Sequence, residues 1–297
     1  MRVVSLLPSA TEIVFALGRG DDLVGVTFEC DHPAEARDRR VVSTSSLPEG
    51  LTPAEIDAVV SARMAAGEDL YHLDEQALAD LDAEVILTQD LCAVCAVDLD
   101  RVDDALAYLG CSATVVTLDP SSLEDVIDSI GVVGEVLGTA EEAARVVGSL
   151  RRRLEALTIA LRDAPPREVV VLEWTDPPFS AGHWVPDLVV AGGGAPVLAN
   201  GGHDSVRLEW GALSASGADV VVVAPCGYHL ERSAELARQL VDAGRLPDGA
   251  EVWAVDADSH FVRPGPRVVE GAEVMARILH PVRMGVPRRD QALRVDR

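Results

Sequence analysis

The sequence predicts an α/β protein in which two Rossmann-like lobes with parallel sheets are joined by one long rigid helix. Short runs rich in Val and Leu alternate with longer helical patterns along most of the chain, and this alternation is typical of βα units. Some runs, such as the valines at 220–223, show no polar alternation. Such runs are typical of strands that are covered on both faces of a parallel sheet.

The predicted elements follow one another from the first residues onward. Strands are predicted at 3–7, 23–27, 85–88, 114–118, 169–173, 220–224 and 252–255. Helices are predicted at 11–17, 74–81, 99–109, 233–243 and 268–279. The first strand begins almost at residue 1, so we interpret the N-terminal apolar run as part of the core.

The region at 121–165 interrupts this alternation with two helical patterns. The first starts with a capping box at Ser121 and ends near Gly138, and the second starts at Thr139 and continues without a breaker to about Asp163. The second pattern predicts a helix of about 36 Å at 1.5 Å per residue. We therefore predict an N-terminal lobe at 1–120, a helical connector at 121–165, a C-terminal lobe at 166–281 and a frayed tail at 282–297. One continuous sheet with a long crossover helix is the alternative.

The composition excludes several classes of partner. The net charge is -24 and every basic residue is arginine, so the surface repels phosphate backbones and anionic lipids. We expect no nucleic-acid partner. We also expect no membrane insertion, because the chain has no apolar run of about 18 residues. Five cysteines and no recognisable export signal predict a cytoplasmic protein; an extracytoplasmic location is the alternative if the true start lies upstream.

Unusual side chains follow the predicted strands directly. Ligands of open parallel sheets bind beyond the carboxyl ends of the strands, so we predict a ligand cleft between the two lobes. The candidate ligand-binding residues are Cys30, Gln89, Trp174, His183, Trp184, Tyr228 and Arg263.

Four segments resemble the cobalamin-binding branch of the periplasmic-binding-protein superfamily, which also includes iron-chelate binders. They are 88–97 (TQDLCAVCAV), 173–179 (EWTDPPF), 181–186 (AGHWVP) and 263–267 (RPGPR). The resemblance implies vitamin B12 or a related corrinoid in the cleft. In transport members an acidic residue on each lobe docks on arginines of an ABC permease. The sequence departs from those members because it shows no export signal or lipid-anchor cysteine.

The candidate residues suit a broad, flat ligand. Trp174 and Trp184 could cover an apolar face, and His183 could coordinate cobalt or bond an amide. Tyr228 follows Gly227, which allows close backbone approach. Arg263 either anchors an acidic group or bonds loop carbonyls.

Cysteines form a second group of candidates. Cys92 and Cys95 make a C-x-x-C pair after a predicted strand, and Cys226 follows another. Together with Cys30 they could bind a soft metal ion or offer a thiolate to cobalt. A redox pair and small buried apolar side chains are the alternatives.

The sequence thus predicts a non-enzymatic binder of cobalamin or a related corrinoid, acting as a carrier, a salvage protein or the substrate-binding protein of an ABC permease. One alternative is a cytosolic enzyme that acts on a corrinoid or metal chelate through Cys92 and Cys95. Another is a binder of haem or a siderophore.

Overall fold

The computed structural model describes residues 1–89 and 113–296. The chain divides into two compact units, which we call the first and second units. The first contains Met1–Pro120 and Ile127–Val147, and the second contains Ser121–Val126 and Gly148–Arg297. The predicted helix at 99–109 and the pair Cys92 and Cys95 lie outside the described residues.

The first unit is built on a six-stranded sheet. Its strands are β1 Val3–Ser5, β2 Leu23–Thr27, β3 Arg40–Ser45, β4 Tyr71–Leu73, β5 Val85–Thr88 and β6 Thr114–Thr117. The strand order is β4-β3-β2-β1-β5-β6, and only β3 and β4 pair antiparallel. The central strand β1 is buried along its whole length, as its apolar run predicted.

Short helices follow several strands of this sheet. They are α1 Pro8–Ala16, α2 Pro53–Ala66 and α3 Glu75–Asp80, with 3-10 turns at Gly20–Asp22 and Ala34–Asp38. Pro8 stands in the first turn of α1, where its missing N–H costs no hydrogen bond. On one face of the sheet Val4, Val42, Leu78 and Ile86 belong to one buried cluster, so α3 packs against the strands through apolar contacts.

Two helices occupy the predicted connector, α4 Leu123–Val136 and α5 Ala140–Leu161. Ser122 caps α4 with its hydroxyl on the Asp125 N–H, while the Asp125 carboxylate accepts from the N–H groups of residues 121 and 122. This reciprocal cap lies one residue later than predicted. The connector is not a separate unit, because residues 127–147 cluster with the first unit and the rest with the second.

The second unit has its own six-stranded sheet. Its strands are β7 Arg167–Thr175, β8 Pro178–Ser180, β10 Gly194–Pro196, β12 Val220–Val223, β13 Glu251–Val255 and β14 Ala292–Val295, and a separate two-stranded sheet contains β9 Gly182–His183 and β11 Asn200–Gly201. The order is β10-β7-β12-β13-β14, with β8 on β7. The pairs β7–β8 and β13–β14 are antiparallel, and the other pairs are parallel.

Helices cover both faces of this sheet's parallel core. They are α6 Val185–Ala191, α7 Trp210–Ser214, α8 Leu230–Asp242, α9 Ala257–His260, α10 Val268–Leu279 and α11 Pro281–Met284. Every residue of β12 is fully buried, because it lies between β7 and β13 and beneath helices. The predicted fold class, α/β with two lobes on mainly parallel sheets, is confirmed.

The prediction of a frayed tail at 282–297 is wrong. β14 pairs antiparallel with β13, with Val295 opposite Val252 and Ala292 opposite Val255. Ala292 and Val295 are buried, while Arg294 points outward to within 3.6 Å of the Glu251 carboxylate. A four-residue strand surrounded by arginines shows too little apolar periodicity to be recognised from sequence.

Candidate functional site

The carboxyl ends of β7, β12 and β13 lie side by side, because these three strands are parallel neighbours. We call the residues there the second-unit rim, defined as 173–174, 226–229 and 256–263. The Cys226 N–H donates to the Glu173 carbonyl at 3.0 Å, and the Asp258 N–H donates to the Tyr228 carbonyl at 3.1 Å. These backbone bonds fix the two loops and the end of β7 relative to one another.

An aromatic pair is the central feature of this rim. The rings of Trp174 and Tyr228 stack with centroids 5.8 Å apart and planes inclined by 22°. Both side chains are only partly buried, and the Arg232 guanidinium lies 5.9 Å from the centre of the Tyr228 ring. The sequence predicted both rings as ligand contacts, and the structure brings them together.

A polar network lies beside this pair. His229 Nδ1 is 2.9 Å from Asp256 Oδ1, and the same carboxylate accepts from the Ser259 N–H at 3.3 Å and so caps α9. Burial by itself would raise the pKa of Asp256, but the hydrogen bonds from His229 and Ser259 outweigh burial and hold that pKa below its usual value. Asp256 is therefore a carboxylate at neutral pH.

Replacing Asp256 with asparagine is expected to lower the free energy of unfolding at pH 7 by about 1–3 kcal/mol, because charge-assisted hydrogen bonds are lost. The folded pKa lies below the usual 3.8. The ionised carboxylate therefore stabilises the fold above the pKa of the unfolded state. This contribution to the free energy of unfolding disappears as the pH falls through the pKa of the folded state. Urea unfolding of both proteins from pH 7 down to about pH 3 checks this.

Asp290→Asn is the matched control, because Asp290 is exposed and pairs with the exposed Arg288. Its effect should stay within about 0.5 kcal/mol. A difference between wild type and Asp256→Asn that is constant across the acid range would contradict the role assigned to the ionised carboxylate.

The loop at 181–186 contains two candidate residues, of which Trp184 is buried and His183 is partly buried. Trp184 is 5% exposed, and its indole N–H donates to the Phe261 carbonyl at 2.8 Å. The His183 ring lies 5.7 Å from that indole, and its Nε2 is 3.2 Å from Asp204 Oδ1. Trp184 thus supports the loop at 256–263 from inside, and it does not present the flat exposed face that the sequence analysis predicted.

Arg263 is also buried, at 6% exposure. Its guanidinium forms a short ion pair with the Asp258 carboxylate. The sequence left two roles open, an anchor for an acidic ligand group and a bond to loop carbonyls; the contact in the structure is a different one, with a side-chain carboxylate of the same loop.

In the first unit the candidate residues Cys30 and Gln89 are buried. The Cys30 sulfur lies 3.0 Å from the Thr11 hydroxyl, and the nearby Thr27 hydroxyl accepts from Ser43. At the same edge of the sheet Phe28 is 41% exposed, and its ring lies 6.3 Å from that of Tyr71. This aromatic pair is a candidate that the sequence analysis did not select.

The structure describes two of the four cysteines in the metal hypothesis, Cys30 and Cys226. Cys226 is exposed and Cys30 is buried, and both are free thiols. They belong to different units. Cys92 and Cys95 lie outside the described residues, so metal binding by these cysteines stays a prediction.

The sequence analysis considered His229 together with Tyr228 without including it among the ligand-binding candidates, and it did not select Asp256 and Asp258. Each of them follows β12 or β13 within six residues, and these strands are neighbours. The position after a strand, which led to Tyr228, was therefore also the signal for these three side chains.

The fold is that of the two-lobe periplasmic binding proteins. A family model described as periplasmic binding protein matches residues 3–242, and the chain belongs to this family. Among the described residues, no helix has both the length and the apolar character to cross a bilayer.

Two kinds of curated relative are similar to the chain. A cobalamin-binding protein of Halobacterium salinarum is 24% identical over 94% of the chain and 69% of its own length. An uncharacterized ABC transporter substrate-binding lipoprotein of Bacillus subtilis, YvrC, is 29% identical over 52% of the chain. That match spans only 40% of the lipoprotein.

Solved structures show the same fold at low sequence identity. The periplasmic vitamin B12 binding protein of Vibrio cholerae has a TM-score of 0.67 and 20% identity, covering 93% of this chain and 94% of that one. A periplasmic heme binding protein of Pseudomonas aeruginosa has a TM-score of 0.72 and 18% identity, covering 100% and 98%.

These comparisons contradict the expected cytoplasmic location. The family is named for periplasmic proteins, and the relatives include a lipoprotein and periplasmic binding proteins. The expectation failed because an odd number of cysteines excludes complete disulfide pairing without excluding an oxidising compartment.

Proposed function

We propose that this protein is the extracytoplasmic substrate-binding protein of an ABC importer and that its ligand is cobalamin. Membership of the periplasmic binding protein family supports a binding role over the enzyme alternative. A relative whose match covers 94% of the chain is named a cobalamin-binding protein. The name of the Bacillus subtilis relative supports an ABC permease as the partner.

The observation that carries the proposal is the stacked pair of Trp174 and Tyr228 at the strand ends. A corrin is a broad ring with apolar faces and an amide-bearing edge. Aromatic side chains that are partly exposed and already stacked contact such a face without losing much side-chain entropy. The carboxylates and backbone groups beside them supply acceptors for amide N–H groups.

Haem is the second candidate ligand. Tyrosine, cysteine and histidine side chains ligate haem iron in proteins, and Tyr228, Cys226 and His229 stand together on the second-unit rim. Two of them, Cys226 and His229, are exposed. Among the structural neighbours, several are named heme-binding proteins.

Titration of the full chain with cyanocobalamin and, separately, with haemin distinguishes these candidates. We expect saturable one-to-one binding of cyanocobalamin, seen as a shift of the corrin absorption bands and as heat in calorimetry. Haemin should bind at least ten times more weakly. Tighter binding of haemin, with a Soret shift that Tyr228→Phe abolishes, would establish the second candidate. Binding of neither compound at high protein concentration would contradict the proposal.

A further inference from the structure

Arg263, the arginine of the second-unit rim, is buried and paired with an acidic side chain of the protein. The Arg263 side chain is 5% exposed and forms an ion pair with Asp258, whose own side chain is 19% exposed. The Asp258 carboxylate compensates the charge of Arg263, and a guanidinium with so little exposed surface presents few of its N–H donors to a ligand. Arg263 is therefore no anchor for an acidic group of a ligand.

The neighbouring arginine is also engaged. The Arg232 guanidinium donates to the Glu235 carboxylate at 2.7 Å and lies over the Tyr228 ring. The Glu173 carboxylate accepts from the Gly182 N–H at 2.9 Å. Arg263 of the rim and Arg232 beside the rim thus each pair with an acidic side chain, and Glu173 and Asp256 add further negative charge.

This charge pattern distinguishes two ligand chemistries. A primary amide presents N–H donors that carboxylates such as Asp256 accept, and its carbonyl accepts from backbone N–H groups. A carboxylate has no donor and brings a like charge into a partly buried acidic rim, which is repulsive. The rim favours amide-bearing ligands by attraction and rejects acidic ligands by repulsion.

We propose that the second-unit rim selects macrocycles whose peripheral groups are amides over those with free carboxylates, and that the ion pair of Asp258 with Arg263 is a determinant of this selectivity. The inference rests on the proposed function and specifies its ligand chemistry. Asp258 acts as a positioning residue, because it holds Arg263 and keeps that positive charge away from the ligand.

The test compares cyanocobalamin with its monocarboxylic acid, in which one peripheral propionamide is hydrolysed. Wild-type protein should bind the intact amide at least ten times more tightly in 0.05 M salt. This ratio should fall several-fold in 1 M salt, because the Debye length shrinks to about 3 Å and screens the repulsion. The salt comparison needs no variant and is independent of any effect on folding.

Asp258→Asn should bring the ratio to about threefold or less, since Arg263 is then released to meet the acid. Asp248→Asn is the matched control, because Asp248 is exposed and precedes β13, at the opposite edge of the sheet. It should keep the wild-type ratio.

Equal affinity of the wild type for both corrinoids, or an unchanged ratio in a folded Asp258→Asn protein, would overturn the inference while leaving the proposed function intact. Failure of the wild type to bind any corrinoid would overturn the proposed function and the inference with it.

Discussion

Replacing Gly271 with alanine is expected to destabilise the second unit by about 3 kcal/mol. A Cβ atom at this position would lie 2.0 Å from the His260 carbonyl oxygen. This oxygen is a backbone atom at the end of α9, so it cannot rotate away as a side chain could. The two helices must separate, and α10 loses buried contacts made by residues such as Val268 and Met275.

Thermal unfolding measures this effect, and a decrease of roughly 10 °C in Tm is expected for a unit of this size. Gly148→Ala is the matched control, because Gly148 lies inside α5 and, outside the helix's own backbone, the described residue that a Cβ atom there would meet is Arg152, through the mobile end of its side chain at 3.4 Å. Alanine there should raise stability by about 0.5–1 kcal/mol. Equal Tm values for the Gly271→Ala protein and the wild type would show that α9 and α10 are not packed as described.

Trp174→Ala is expected to weaken cobalamin binding by roughly 30- to 100-fold. The substitution removes about 100 Å² of apolar contact, which at about 25 cal/mol per Å² amounts to about 2.5 kcal/mol. It also releases the Tyr228 ring, which is held by the stack at 5.8 Å. Calorimetric titration of the purified variant with cyanocobalamin gives the affinity.

Two further variants separate binding from folding. Trp174→Phe keeps an aromatic face and should lose no more than about fivefold in affinity. Trp210→Ala removes an indole of α7 that packs against the Arg245 guanidinium. Helix α7 precedes the amino end of β12, so this indole does not belong to the second-unit rim. The substitution should leave affinity unchanged. Wild-type affinity in a folded Trp174→Ala protein would exclude the stack as a ligand contact.

The predicted elements that are confirmed share a clear physical signal. β12 consists of four buried valines, and a buried parallel strand requires such a run. By contrast, β3 was not predicted, because only two of its residues are buried and its polar serines and threonine mask the pattern. α2 was also not proposed, although Thr52 and Glu55 form a complete capping box at its start.

The candidate site residues were predicted from their positions after strands, and their side-chain contacts were not predicted. Trp174 and Tyr228 follow strands that tertiary structure makes neighbours, so their selection needed only the rule for parallel sheets. Trp184 is held by Phe261, which is far along the chain, and Arg263 is held by Asp258, which lies across a turn. The burial of both residues depends on these partners. When two aromatic residues both follow a strand, the sequence alone does not show which ring is exposed for ligand binding and which is buried.

The strand β14 has a consequence for handling this protein. It covers the outer backbone groups of β13 through four consecutive residue pairs. A chain shortened before Ala292 would expose these N–H and C=O groups along an apolar strand, and an uncapped edge of this kind is a template for aggregation between molecules. The residues of β14 thus protect the solubility of the protein, a role separate from that of the second-unit rim.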